Sequence, residues 1–368
     1  MYLNQLTLTH FKNYNEASFN FSKLVNVFFG KNGAGKTNVL DAIYYLAITR
    51  SYFNSVDHQQ IQHGEQFFAI QGNLFKEEQS MALRLYFQKG LGKKLLVQQK
   101  EVDKFSDHIG QMPVVMIAPG DIQLIYEGSE ERRKFIDLLI SQCNRVYLHE
   151  LQVYQRSIEQ RNQLLKDFYE NRYFNRELLE VYNEQLINSG SYIHRIRHEF
   201  IDVFSPLFLN NYARLAGTNE AVSLSYESDL NRISFPELLR QSESADIDLL
   251  RTTKGIHKDD WAFLIERQLL KKFGSQGQQK TFIIALKLAQ FQYLHLQKGV
   301  KPILLLDDIF EKLDQHRLAE LFKWMSEGLF GQIFITDTQE KRLRDMLVQT
   351  ELACAYFEID NGAIISHS

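Results

Sequence analysis

Residues 24–37, LVNVFFGKNGAGKT, constrain the fold of this chain more than any other stretch, because a buried-strand pattern runs straight into a glycine-rich turn and a lysine. Leu24, Val25, Val27, Phe28 and Phe29 form an almost continuous apolar run, which suits a strand covered on both faces. The turn Gly30, Lys31, Asn32, Gly33, Ala34, Gly35, Lys36, Thr37 meets the pattern G-x-x-x-x-G-K-[ST] at every specified position. Glycines in such a turn let backbone N–H groups curl around a phosphate, and the helix that follows offers its positive N-terminus to the same anion. That helix is predicted over Asn38 to Ala47, where Val39, Leu40, Ile43, Tyr44, Leu46 and Ala47 share an apolar face. Lys36 is then placed to reach the β- and γ-phosphates of a nucleotide, and the Thr37 hydroxyl to complete the shell of a magnesium ion.

A second acidic element supports this reading. Pro302 to Asp308, PILLLDD, is an apolar strand pattern ending in paired carboxylates, 271 positions after Lys36. Asp307 is expected to hold magnesium, partly through water, and Asp308 to orient or deprotonate the attacking water. Asp307, Asp308 and Lys36 are therefore the candidate catalytic residues, and Thr37 and Asp307 the metal ligands. Glu311 to Asp314 follow, and 331–336, GQIFIT, reads as one more core strand with Asp337 and Thr338 at its end.

Between these elements the pattern changes twice. Residues 1–29 read as three strands, with Lys12 to Asn15 as the first turn, and Lys12 is a candidate second cation near the nucleotide. Alternation returns over 67–100, the mark of an antiparallel sheet with one wet face, and 113–118 is a short apolar strand. From Ser129 to about Leu215 the spacing is helical, opened by Ser129, Glu130 and Glu131 and broken near 171–175; a strand is expected at 221–226 and a short helix at 235–243.

The discriminating stretch is 271–280, KKFGSQGQQK, which opens the helix TFIIALKLAQFQYLHL. A serine at a helix N-cap with glycine two residues on is a second potential anion site, and its order relative to the other two elements matches ABC-type ATPases. By that likeness Ser275, Gly277 and Gln278 act in trans on the γ-phosphate bound by another protomer, so that ATP joins two chains head to tail.

With the turn Phe11 to Tyr14, the loop Gly30 to Asn38, Ala118 to Asp121, Glu131 to Asp137, Gly255 to Asp260, Gly274 to Gln279, and Leu304 to Asp308 with Leu313 and Asp314, the chain resembles the RecF family of bacterial recombination-mediator ATPases, related to the heads of structural-maintenance-of-chromosomes proteins. The resemblance implies an α/β fold: an ABC-type P-loop ATPase head with a mixed sheet, plus an inserted, mainly helical lobe. The ATPase lobe is expected over 1–120 and 250–368, and the helical lobe over 121–249. The resemblance also implies ATP and magnesium as cofactors and an ATP-dependent homodimer. It further implies double- and single-stranded DNA as partners, with RecR, RecO and RecA, in repair, replication and the SOS response.

Lys12 and Lys258 stand where the family usually has arginine, which keeps the charge and loses the bidentate fork, and Ile256 replaces a usual proline. Asp308 stands where ABC transporters have glutamate, and Thr336 to Thr338 where they have a switch histidine, a pairing that suggests slow hydrolysis. Two other readings stay open: the ATPase subunit of a transporter, and a nucleotide-gated protein scaffold that never binds DNA.

Composition enters only at the margins. The net charge of -3 offers no global attraction to nucleic acid, so DNA contacts must be local, with Arg132, Arg133, Lys134, Lys254 and Lys258 as candidates and His257 beside them. No apolar run approaches the ~20 residues that cross a bilayer, the first residues alternate like a strand and unlike a signal peptide, and a cytoplasmic protein without a membrane partner is expected. Cys143 and Cys354 lack paired or metal-like spacing and read as reduced thiols.

Overall fold

The computed structural model describes residues 1–77, 79–217, 220–310, 314–348, 350 and 352–367, the last by its backbone alone. The chain opens with β1 (Tyr2–Phe11), β2 (Tyr14–Asn20) and β3 (Val25–Phe29), then α1 (Lys36–Ile48). β4 (Phe67–Lys76), β5 (Gln79–Gln88), β6 (Gly92–Val97) and β7 (Lys100–Glu101) follow, then α2 (Phe105–His108) and β8 (Val114–Ile117). The helical stretch comprises α3 (Gln123–Tyr126), α4 (Ser129–Cys143), α5 (Arg145–Glu170) and α6 (Arg176–Ala216). β9 (Val222–Glu227), α7 (Phe235–Leu249), β10 (Asp260–Ile265), β11 (Gln268–Leu269), α8 (Leu270–Phe273) and α9 (Gln276–Lys298) lead to β12 (Ile303–Leu306). α10 (Gln315–Ser326), β13 (Ile333–Asp337), α11 (Glu340–Val348), β14 (Cys354–Asp360) and β15 (Ala363–His367) complete it.

These elements form two compact units, Met1–Asp121 with Arg214–Gly217 and Ile284–Ser368, and Ile122–Ala213 with Thr218–Ile283. In the first, an antiparallel sheet runs β2-β1-β4-β5-β6-β7. Its alternation is plain along β5, where Leu83 and Leu85 are buried and Ala82 and Arg84 face solvent. A mixed sheet runs β15-β14-β3-β13-β12-β8, parallel except at β15. Every residue of β3, β8, β12 and β13 is buried, which is why these strands are apolar without alternation.

Aromatic rings and one amide tie the two sheets together. Phe19 of β2 meets Phe28 of β3 and Phe357 of β14 edge-on, each with ring centroids 5.9 Å apart. Each such pair adds about 1 kcal/mol beyond its burial. Just before β13, the buried Gln332 accepts from the Leu3 N–H at 2.7 Å and donates to the carbonyls of Leu3 and Ser22, both at 2.8 Å.

The second unit packs helices against the short sheet β11-β10-β9 around a buried ionic core. Arg197 of α6, 1% exposed, donates to Asp259 at 2.8 Å, to Asp137 at 2.9 Å and to the Ile256 carbonyl at 3.0 Å. Tyr226 donates to the buried Asp259 and Tyr147 to the part-buried Asp137, both at 2.5 Å, so each carboxylate has a second partner beside Arg197. A second buried pair, Arg161 with Asp246 at 2.8 Å, joins α5 to α7.

The α/β class with a mixed sheet and a helical lobe is the one observed. Residues 250–283, expected in the ATPase lobe, lie instead in the second unit, because β10 pairs with β9 and β11 and with no strand of the larger sheets. The first turn is shorter than expected, with strand resuming at Tyr14. Ser129 is the first helical residue and makes no cap bond; Gly128 is the N-cap, and Glu130 and Glu131 supply the first-turn charge. Strands β10, β14 and β15 had no sequence assignment.

Candidate nucleotide-binding site

The phosphate loop spans the end of β3 and the start of α1, and its shape is imposed by the β1–β2 turn. Asn13 donates through Nδ2 to the Ala34 carbonyl at 2.9 Å and accepts through Oδ1 from Asn38 at 2.7 Å. Tyr14 donates to the Gly35 carbonyl at 3.0 Å, and the Gly362 N–H donates to Ala34 from the β14–β15 turn at 2.8 Å. These bonds occupy the Ala34 and Gly35 carbonyls, and within the loop the Ala34 N–H donates to the Lys31 carbonyl at 3.1 Å. Gly35 has φ +117°, and a Cβ there would lie 2.6 Å from Asn13 Nδ2, so no other residue fits.

Lys36 is buried, and its ammonium donates to the carbonyls of Gly30 at 2.7 Å and Lys31 at 3.1 Å, which keeps its charge over the loop with one N–H to spare. Lys31, Asn32 and Gly33 are exposed at the rim, while Ala34 is buried. Lys12, in the left-handed region at φ +53°, is turned to α1 and pairs with Asp41 at 2.5 Å.

The acidic element closes on the loop through one strand. β13 lies between β3 and β12, and Thr336 near its end donates to Asp307 Oδ1 at 2.9 Å and accepts from the Asp308 N–H at 2.9 Å. Thr37 donates to the same Asp307 oxygen at 2.7 Å. Burial raises the Asp307 carboxyl above its usual range, while the Thr37 and Thr336 hydroxyls and Lys36 counter it and Asp308 adds to it. Thr37 Oγ1 and Asp307 Oδ1 are hard oxygen donors, the kind a magnesium ion takes alongside water and phosphate oxygens. Asp308 has φ +44°, and its Oδ1 is buried without a hydrogen-bond partner. Glu311, Lys312 and Leu313, beyond the acids, lie outside the described residues.

In the second unit Ser275 is the cap expected of it, in reciprocal form: its hydroxyl accepts from the Gln278 N–H at 3.2 Å and its N–H donates to Gln278 Oε1 at 2.8 Å. Gln278 also donates to Glu220 at 3.0 Å. Ser275 is exposed, Gly277 is part-buried, and Phe273 beside them is 62% exposed.

The basic candidates diverge. Arg132 is spent in a two-pronged pair with Asp260, at 2.8 and 2.9 Å, and on the carbonyls of Leu124 and Glu127. Arg133 is part-buried and donates to the Asp259 carbonyl at 2.5 Å. Lys134 pairs with Glu130 and Glu131, and Lys254 with Asp229 at 2.9 Å, all at exposed positions. Burial lowers His257 to about 4, so it is neutral near pH 7, and its ring bonds Tyr154 and the Thr252 carbonyl. Lys258 is exposed.

The sequence profile of the RecF/RecN/SMC N-terminal domain family matches residues 2–358. The DNA replication and repair protein RecF of Flavobacterium johnsoniae is 48% identical over 359 residues, covering 98% of this chain and 100% of the relative. The chain belongs to the RecF family. The RecF of Bacteroides thetaiotaomicron is 40% identical, covering 99% of this chain and 98% of its own. A solved structure of the recombination mediator protein RecF-ATP in the RecFOR pathway superposes with a TM-score of 0.90 at 27% identity, covering 100% of this chain and 97% of that one. An Smc head bound to the C-terminal winged-helix domain of ScpA gives 0.57 at 13% identity over 100% of this chain and 97% of its own, a likeness of fold alone. The RecF fold, that of an ABC-type ATPase head, is therefore the frame in which the site sits. No described helix is long and apolar enough to cross a membrane.

Sequence reasoning assigned no role to Asp41 or Gly362, and placed Thr336 only at the switch-histidine position, without its bonds to the two acids. The turn Asn361-Gly362 between the alternating runs of β14 and β15 was a readable hairpin signal. The bonds of Thr336 to both acids were not readable, since one threonine at a strand end is ordinary.

Proposed function

We propose that this chain is a nucleotide-gated DNA clamp of recombinational repair. ATP with magnesium occupies the loop Gly30 to Asn38, two protomers close head to tail, and the closed dimer holds double-stranded DNA beside single-stranded gaps. Slow hydrolysis resets it, and RecR and RecO act with it in loading RecA. The observation that carries this reading is the convergence of Lys36, Thr37 and Asp307, with Thr336 holding both acids, in a chain that also presents an exposed, capped Ser275. The likeness to the RecF-ATP structure supports ATP as the nucleotide.

Lys36 neutralises the phosphates, Thr37 and Asp307 hold the metal, and Asp308 orients water through the carboxylate oxygen that has no other partner. Ser275, Gly277 and Gln278 meet the γ-phosphate of the opposite protomer, and the exposed Phe273 contributes apolar surface to that interface. Lys12 acts on the loop from beside Asp41. The short Asp308 side chain favours turnover below about 1 s⁻¹, at the bottom of the usual range. Lys258, exposed and without an acidic partner among the described residues, is the first candidate DNA contact, with Lys134 and Lys254 available once their surface pairs exchange, since such pairs are worth under about 1 kcal/mol.

The test is double-stranded DNA binding by wild type and Lys36→Ala, with ATP and with ADP, across a salt series. Binding by wild type with ATP alone is expected. Binding in every nucleotide state, or in none, refutes the clamp. In sedimentation, Ser275→Arg removes ATP-induced dimers and keeps nucleotide binding.

A further inference from the structure

Within the second unit, two histidines of α6 aim at one oxygen. His194 and His198 are one helical turn apart, the i, i+4 spacing at which helical histidines face the same way and can share a metal. His194 Nε2 lies 2.9 Å from Asn231 Oδ1, and His198 Nε2 lies 2.8 Å from the same atom. The amide is oriented from its other end, where Asn231 Nδ2 donates to the Tyr226 carbonyl at 3.1 Å. An amide oxygen only accepts, so in this arrangement both rings donate through Nε2.

The surroundings hold the three side chains in place. The two imidazole centroids are 4.7 Å apart, and each ring packs on that of Tyr226, His194 at 5.8 Å and His198 at 5.1 Å. Asn231 closes the turn Asp229–Asn231, and its N–H donates to the Ser228 carbonyl at 3.1 Å. Arg197, next to His198 on the helix, and Tyr226 of β9 both bond the buried Asp259, so helix and strand are anchored to one carboxylate beside the pair. The histidines themselves are only part-buried, which leaves them within reach of an ion from solvent. Among the described residues no three histidine, cysteine or acidic side chains gather for a metal, and here the third donor is the amide oxygen.

A neutral imidazole carries one N–H and one lone pair. Moving the proton from Nε2 to Nδ1 turns each hydrogen-bond donor into a metal ligand and leaves the charge of the ring unchanged. Two nitrogen lone pairs and the Asn231 oxygen then face a common point.

We propose that His194, His198 and Asn231 form a binding site for one divalent transition-metal ion of the zinc, nickel or copper class. Imidazole suits these ions, whereas magnesium favours oxygen ligands. Both Nε2 atoms take the ion at about 2.0–2.1 Å, the usual zinc–imidazole distance, with the amide oxygen and water completing the shell. The bound ion clamps α6 to the turn that follows β9, and so stabilises the second unit without any part in nucleotide binding.

The test is calorimetric titration with Zn2+, without nucleotide and in excess Mg2+, at about pH 7.5, where imidazoles of ordinary pKa are neutral. Wild type is compared with His194→Gln, His198→Gln and the double variant. Wild type is expected to bind one more Zn2+ than the double variant, and each single variant to hold that ion more weakly by roughly tenfold or more. The unfolding midpoint is expected to rise further with Zn2+ in wild type than in the double variant. Electron spin-echo spectroscopy of one equivalent of Cu2+ on wild type, which requires no variant to fold, is expected to count two imidazoles. Zinc stoichiometry and affinity equal in wild type and double variant, or a Cu2+ signal from fewer than two imidazoles, overturns the proposal.

Discussion

Thr37 donates to Asp307 across 2.7 Å although 270 positions separate them in the chain. The bond exists because β3 and β12 are both parallel neighbours of β13, so the residues at their carboxyl ends meet. Thr336 of β13 stands between them and bonds the same carboxylate oxygen.

Replacing Thr336 by valine keeps the volume and removes both the donor to Asp307 and the acceptor for the Asp308 N–H. ATP turnover is expected to fall roughly 10–100-fold, the usual loss for a residue that orients a metal ligand. Nucleotide titration beside steady-state turnover checks this, with affinity changing less than turnover.

Gly362 has φ +76°, and a Cβ there would lie 2.2 Å from the Asn13 carbonyl oxygen. Gly362→Ala is expected to cost on the order of 1–3 kcal/mol. It also withdraws one of the two donors on Ala34, so ATP binding weakens together with thermal stability. Calorimetric unfolding with and without ATP measures both.

Arg197→Met leaves the buried Asp259 and the part-buried Asp137 without their cation. A loss of about 3–5 kcal/mol is expected in urea unfolding. Lys134→Ala, whose two partners lie on the surface, is expected to change stability by less than about 1 kcal/mol.

Burial holds His257 at about 4, below its unfolded value of 6.5, so the unfolded chain takes up a proton first as pH falls. Stability from this group is full above pH 6.5 and is lost on descending towards pH 4, by up to about 3 kcal/mol. Burial lowers His108 as well, which adds loss in the same direction. Unfolding followed from pH 7 to pH 4 in wild type and His257→Asn tests this, the variant having the shallower slope.

Lys258 is exposed and has no acidic partner among the described residues. Lys258→Ala is expected to reduce the salt slope of DNA binding by about one. Arg132→Ala acts through stability, because its guanidinium is already committed to Asp260.

The sequence by itself determined the phosphate loop, the paired acids and the capped serine, because each depends on residues within ten positions of one another, and local backbone preferences specify such groups. It also marked β3, β8, β12 and β13, whose burial on both faces leaves a mostly apolar run without alternation. Tertiary structure alone decided which partners those groups have. Sequence order does not say that β13 lies between β3 and β12, that Gly362 holds Ala34, or that Arg132 is consumed by Asp260 128 positions away. It likewise could not place 250–283 in the second unit, since strand pairing, which joins β10 to β9, is a choice among distant edges of similar composition. Local chemistry is written in neighbouring residues, and charge neutralisation and strand order are settled only when the whole chain has closed.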